Sequence, residues 1–369
     1  MAPIRSKSRS KRRSAKLDTL VVKCTNPPKL SYRYRRLQHP DEIRLLVLAP
    51  GTSSKSLDCK LIHTRMSLNP EYEALSYAWG DSSKPRQIHC NNRAINVTHS
   101  LYSALRHIRD PIKSKTIWAD AICINQDVDA EKNHQVALMG KIYSQAERTL
   151  AWIGEEDDDV VHDAFDFLER LDEWFCGCLE GYNTKRLGVD SSDVPHQVLK
   201  QLHTDWVPDL YRCLGPLCKC PWFTRLWIVQ EVVLAKTVDI VFGTRVLSLE
   251  KILPPVLIIG GFVTLRDIPD SFAVVAVRNL FRIGTMREIR SPADADRSLI
   301  TMLTALQSGV TFNVSDHRDR IYALLGLGYT PGFVADYTLS IDDVFQKFAI
   351  WCLGADSGSI QFGILDTDV

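Results

Sequence analysis

An α/β fold built around a mainly parallel central sheet flanked by helices is the architecture this sequence predicts, and three observations predict it. Apolar runs of strand length alternate with stretches of helical period from Ile43 to Ile153. One run, Thr116–Ile124, is almost continuously apolar, as a strand covered on both faces must be. Hairpin signals stand at Asn91-Asn92, inside the alternating region, and at Gly243-Thr244, beyond it. A succession of strand, helix, strand, helix, strand implies crossover connections and parallel pairing.

The elements follow in order. Ile43–Leu48 reads as a first strand, stopped at Pro50-Gly51. Glu73–Trp79 places Leu75, Tyr77 and Trp79 on one face of a second strand, which Gly80-Asp81 ends in a turn. Ile88–Val97 reads as a hairpin, and Thr98 caps a helix in which Leu101, Leu105 and Ile108 share a face. The Thr116–Ile124 strand holds one carboxylate, Asp120. Asp127 and Asp129 open a helix that Val136, Met139, Tyr143 and Ala146 stripe, ending near Gln145, and Thr149–Ile153 returns as a strand.

Beyond the acidic run Glu155–Asp159, a helical stretch and a polar segment, Asn183–Pro195, read as an insertion. Pro221–Ala235 reads as one helix with proline at its start, and Thr237–Leu249 as a hairpin. Leu253–Leu265 contains two prolines and two glycines and falls short of the ~20 residues of a membrane span, so it reads as a buried element. Ser340 with Asp343 makes a capping box for a helix through Phe345, Phe348 and Cys352.

The 45 basic and 44 acidic residues nearly cancel, which removes any global electrostatic case for nucleic acid or an anionic membrane. Arg5, Lys7, Arg9, Lys11, Arg12, Arg13 and Lys16 form the exception, standing among serines with no acid to balance them. They read as a solvated tail, with a nuclear-localisation patch or a transit peptide as alternatives. Ten cysteines with neither a secretory signal nor regular spacing point to reduced thiols in an intracellular, cytoplasmic protein. Cys176, Cys178, His203, Cys213, Cys218 and Cys220 lack the paired spacing of a structural zinc site, so no metal is expected. Cys123 reads as a buried small hydrophobe. The chain contains no phosphate loop, dinucleotide fingerprint or nucleophile elbow.

Four blocks resemble the heterokaryon incompatibility (HET) domain family of filamentous fungi: Tyr72–Gly80, Trp118–Gln126 with Glu131 and Gln135-Val136, Pro221–Glu231, and Asp316–Gly326 with Asp336-Tyr337. Ala119 stands where that family usually has a larger apolar residue, and Lys132 where it usually has arginine. The charge pattern marks 1–35 as a basic tail, and the resemblance implies a HET domain over 36–250, with core motifs at 72–154 and 221–235 and an insertion at about 160–215. A helical extension over 251–369 would pack on that domain. The chain stops soon after Asp336-Tyr337, as a short member or an incomplete gene model would.

Such a protein is expected to act in fungal non-self recognition and programmed cell death, through self-association or a protein partner and with no required cofactor. HET domains are in turn distantly similar to TIR domains, of flavodoxin-like core, some of which signal by assembly and some of which cleave NAD. That second analogy makes NAD glycohydrolysis the alternative activity, with NAD as substrate. It selects Glu231, four residues from Trp227 on one helix face, as the carboxylate that stabilises an oxocarbenium-like transition state. The competing reading pairs Glu231 with Arg225 to fix a helix on the sheet. Asp120, in an apolar strand, needs a partner or a raised pKa, and is either a second catalytic carboxylate or a hub for the Asn125-Gln126 loop. Trp79 and Gly80 at a strand end offer a stacking surface and a tight turn for a nucleotide ring, with core packing as the plain alternative. Glu131 suits the first turn of a helix for its dipole alone.

Overall fold

The computed structural model describes residues 31–52, 55–155, 159–178, 196–206, 220–262, 272–289, 312–328, 330 and 332–354. The basic stretch at 5–16, the polar segment Asn183–Pro195, and Cys213 and Cys218 lie outside them. Nine strands form one sheet: β1 (Glu42–Leu48), β2 (Asp58–Arg65), β3 (Glu73–Tyr77), β4 (Arg86–Cys90), β5 (Arg93–Val97), β6 (Lys115–Trp118), β7 (Thr149–Gly154), β8 (Val238–Phe242) and β9 (Arg245–Ser248). Their order is β5-β4-β2-β1-β6-β3-β7-β8-β9.

This sheet is α/β in architecture but mixed rather than mainly parallel. Parallel contacts join β6 to β3, β3 to β7 and β7 to β8, and β2 to β4 at the rim. Short connections force β1–β2, β4–β5 and β8–β9 into antiparallel pairs, and β1 also runs antiparallel to β6. Numbered along the chain, the four parallel central strands stand in the order 2-1-3-4. That is the start of the doubly wound order in which ligands collect outside the carboxyl ends of the strands.

Local chemistry explains most of the elements. Asn91 and Asn92 take φ of 49° and 62°, the two left-handed positions that a two-residue hairpin turn demands. Gly243, at φ 54°, turns the β8–β9 hairpin. The Thr98 side chain accepts a hydrogen bond from the Leu101 amide at 3.3 Å and so starts α1 (His99–Ile108). Ser340 accepts from the Asp343 amide at 3.1 Å and donates to its carboxylate at 2.7 Å, opening the last described helix, Ile341–Gly354.

Three expectations change. The predicted strand over Thr116–Ile124 stops at Trp118, and Asp120–Cys123 forms a single helical turn, α2. Ile122 and Cys123 are fully buried in that turn, so the apolar run reports burial and not extension. The strand through Trp79 ends at Tyr77, where pairing with β7 ends, leaving Trp79 40% exposed rather than in the core. The helix predicted over Pro221–Ala235 breaks in two. Pro221–Thr224 is a 3₁₀ turn, Arg225 is extended, and the helix proper resumes at Trp227. The break is tertiary: Arg225 bridges to Asn313, with the Leu226 amide donating to the Asn313 carbonyl at 3.1 Å. The strand β2, unanticipated, is legible in hindsight, because buried Cys59 and Leu61 alternate with exposed Asp58, Lys60 and Ile62.

The remaining helices in chain order are α3 (Asp129–Gln145), α4 (Asp159–Cys178), α5 (His196–Gln201), α6 (Trp227–Val233), α7 (Leu249–Phe262), α8 (Phe272–Ile289), α9 (Asp319–Tyr322) and α10 (Ile341–Gly354). Helix α3 packs on α6 and on the 3₁₀ turn Leu325–Leu327. There Gly140 and Gly326 touch so closely that a Cβ on Gly326 would lie 2.9 Å from the Gly140 Cα. Among the described residues no helix is long and apolar enough to cross a membrane.

Candidate functional site

The two ends of the parallel strands differ in chemistry. At the amino end Glu73 meets Arg148 at 2.5 Å and Lys115 at 3.0 Å, and Arg148 continues to Asp239 at 3.0 Å. This is an ion network with its charges matched. The carboxyl end carries Trp79-Gly80 after β3 and Asp120 after β6, and α6 lays Glu231 across the face of β3.

Glu231 is 2% exposed. Its Oε2 accepts a very short hydrogen bond from the Ser76 hydroxyl of β3, and that hydroxyl accepts in turn from the Trp222 indole N–H at 2.7 Å. Arg225 places Nη2 3.7 Å from the other Glu231 oxygen and donates through Nη1 to the Tyr77 carbonyl at 2.5 Å. The broken helix is what makes this possible, because extended backbone at Arg225 lets its guanidinium span the strand and α6. Burial pushes the Glu231 carboxyl up, Arg225 and Ser76 pull it back, and Asp120 adds to the rise.

Asp120 is only partly buried. Its Oδ2 accepts from the Trp79 indole N–H at 2.8 Å and its Oδ1 from the Ala121 amide at 2.7 Å. Gln126 reaches back to the Asp120 carbonyl at 3.0 Å, so the expected link to the Asn125-Gln126 loop runs through the backbone. Burial again raises the carboxyl, opposed first by Arg225 and then by Trp79. The Tyr77 hydroxyl is buried with no hydrogen-bond partner of good geometry, yet it and Asp120 perturb each other's ionisation. Gly80, at φ 69°, makes the turn beside Trp79 in a conformation that favours glycine.

The structure thus brings four of the five sequence-selected residues, Glu231, Asp120, Trp79 and Gly80, around the same strand ends, with Arg225 acting on both carboxylates. Trp227 takes another partner: its indole N–H donates to Asp319 at 3.0 Å. Asp319 also accepts from the Tyr337 hydroxyl at 2.6 Å, and the Gly326 amide donates to Gln230 at 2.9 Å. The fourth block therefore clasps the helix that carries Glu231. Glu131 does more than face a helix dipole, since it binds the fully buried Arg44 at 2.5 Å and 3.0 Å and accepts from the Asn125 amide at 2.7 Å. Sequence reasoning missed Ser76 and Trp222. The available signal for Ser76 was a hydroxyl inside a five-residue strand buried at every position.

The Arg225 guanidinium favours the ionised form of both carboxylates, Glu231 from a buried position and Asp120 from a partly open one. What the fold and this cluster define is an α/β domain with a polar carboxylate site set into its sheet. Residues 72–231 match the family model described as Heterokaryon incompatibility protein (HET). It is 29% identical over 361 residues to Heterokaryon incompatibility protein 6, OR allele, of Neurospora crassa. The match covers 86% of this chain and 53% of that protein, so the chain spans about half the length of the curated relative it matches. No solved structure is a significant match.

Proposed function

We propose that this chain acts in fungal heterokaryon incompatibility as a module that triggers cell death through self-association or a protein partner. The observation that carries the reading is the HET match over 72–231 together with the state of its last residue, Glu231. That carboxylate is closed in by Ser76 and Arg225 at 2% exposure, an arrangement suited to holding α6 on the sheet. The test is induced expression of the chain in a filamentous fungus, alone and fused to a dimeriser. Growth arrest, strengthened by the fusion, is the expected result; normal growth in both overturns the proposal.

A second reading keeps NAD cleavage, because the Asp120 carboxylate, unlike Glu231, is partly open and lies beside an exposed tryptophan and a glycine turn. Water would attack the ribose carbon as the bond to nicotinamide breaks, with the carboxylates steadying the positive charge. NAD measured over time in expressing cells separates the two. Depletion that Asp120→Asn and Glu231→Gln both abolish favours hydrolysis, and toxicity at constant NAD favours assembly.

A further inference from the structure

Two thiols lie side by side where the β4–β5 hairpin joins the rest of the sheet. β2 and β4 pair in parallel over two positions, Asp58 with His89 and Cys59 with Cys90. Partners on adjacent strands stand roughly 4.8 Å apart with their side chains on the same face, within the Cα separation of about 4.4–6.8 Å that a disulfide requires. Both cysteines are reduced and buried, Cys59 at 7% exposure and Cys90 at 0%.

We propose that Cys59 and Cys90 are a redox pair that a hydroperoxide converts into a reversible disulfide. The Cys90 thiolate attacks one peroxide oxygen, the O–O bond breaks, and the first water leaves after protonation. Cys59 sulfur then attacks the Cys90 sulfenic acid, forming the S–S bond, and its proton departs with the second water. Two thiols and one hydrogen peroxide give one disulfide and two waters.

The order of attack follows from the contact between the sulfurs. A hydrogen bond from Cys59 favours the ionised form of Cys90, while the same contact, with burial, holds Cys59 protonated. In the resting pair the single Cys59 S–H donates to the His89 carbonyl at 3.2 Å, which keeps it against β4, and it turns to the Cys90 sulfur when that sulfur is ionised. Access is through the sheet rim. The hairpin forms the outer edge of the sheet and meets β2 at those two positions, so brief opening of this junction admits a small oxidant.

The bond would matter because of what the hairpin connects. β4 follows the loop that begins at Trp79-Gly80, and β5 runs directly into Thr98 and α1. A covalent link at Cys59–Cys90 fixes both approaches to the carboxyl ends of the strands, so the oxidation state of this pair would set how freely the Trp79 turn moves.

The experiment treats the reduced full chain with hydrogen peroxide under native conditions, blocks remaining thiols with iodoacetamide and digests without reductant. The expected product is a cross-linked peptide pair containing Cys59 and Cys90, lighter by two hydrogens than the separate peptides and lost on adding dithiothreitol. It should persist in Cys123→Ser and vanish in Cys90→Ser. The pairing is read from the wild-type chain, so it does not depend on either variant folding. The proposal is overturned if Cys59 and Cys90 are recovered alkylated from protein whose exposed Cys176 has been oxidised. Separate sulfinic acids at the two positions, or a link from either one to the nearby Cys123, overturn it equally.

Discussion

Glu231 and Asp120 are carboxylates of the same cluster, both raised by burial and both drawn back by Arg225, yet they sit in different surroundings. Glu231 is reached through a hydroxyl and an indole that are themselves buried. Asp120 is reached through an indole that is 40% exposed. Exposure separates an anchoring carboxylate from an available one here, Glu231 being closed and Asp120 partly open, and the indole nearest each follows the same division. A group whose hydrogen-bond donor is interior, as Ser76 is for Glu231, is costly to remove and hard for a ligand to reach. One whose partner lies on the surface can exchange that partner.

The contrast is tested most severely by truncating each carboxylate. Glu231→Ala takes the acceptor from Ser76 and the ion-pair partner from Arg225, and a loss of about 3 kcal/mol in chemical denaturation is expected. Asp120→Ala should cost about 1 kcal/mol, since Trp79 can turn to water. Equal losses would dissolve the distinction. Next comes the clasp on α6: Asp319→Ala strands the Trp227 and Tyr337 donors, and a loss of about 2 kcal/mol is expected by the same measurement.

Titration gives a smaller and more specific effect. A carboxyl whose folded pKa is raised binds its proton more tightly when folded, so its contribution to stability is full below its unfolded pKa. That contribution declines as pH rises toward the folded value. The Glu231 and Asp120 contributions should therefore weaken above the ordinary carboxylate range. Asp316 and Asp336, whose pKa values are lowered by Arg318 and Thr338, contribute with the opposite sign below it. Stability measured from pH 4 to 7 should fall less steeply in Glu231→Gln than in wild type; an unchanged slope would mean that Glu231 is not raised. The smallest effect is expected for Trp79→Phe, under about 1 kcal/mol. Its sharper readout is a further rise in the Asp120 pKa followed by carboxyl NMR, since the indole donor that favours the ionised form is gone.

Much of this arrangement was legible in the sequence because it is local. Hairpin turns at Asn91-Asn92 and Gly243, the Thr98 and Ser340 caps, and the β1, β7 and α3 segments follow from spacing and turn chemistry. Strand direction was not, since a period of two is the same whether the neighbour runs parallel or antiparallel, and the rim hairpins made the sheet mixed. Nor was the break at Arg225, which depends on Asn313, 88 positions along the chain. Glu231, Asp120 and Trp79 stood out as polar or aromatic residues in special places. Ser76 did not, because a single serine in a strand carries no mark of the partner it will meet 155 residues later.

The meeting of Gly140 and Gly326 gives these ideas a mechanical handle. A methyl group on Gly326 would meet the Gln230 amide oxygen at 2.5 Å and the backbone of α3 at 2.9 Å, so Gly326→Ala is a wedge with no charge of its own. It should pry the later part of the chain off α6 without removing any ionisable side chain. Wedged and unwedged proteins of identical charge would then show whether that later part serves the domain as a lock or merely as a cover.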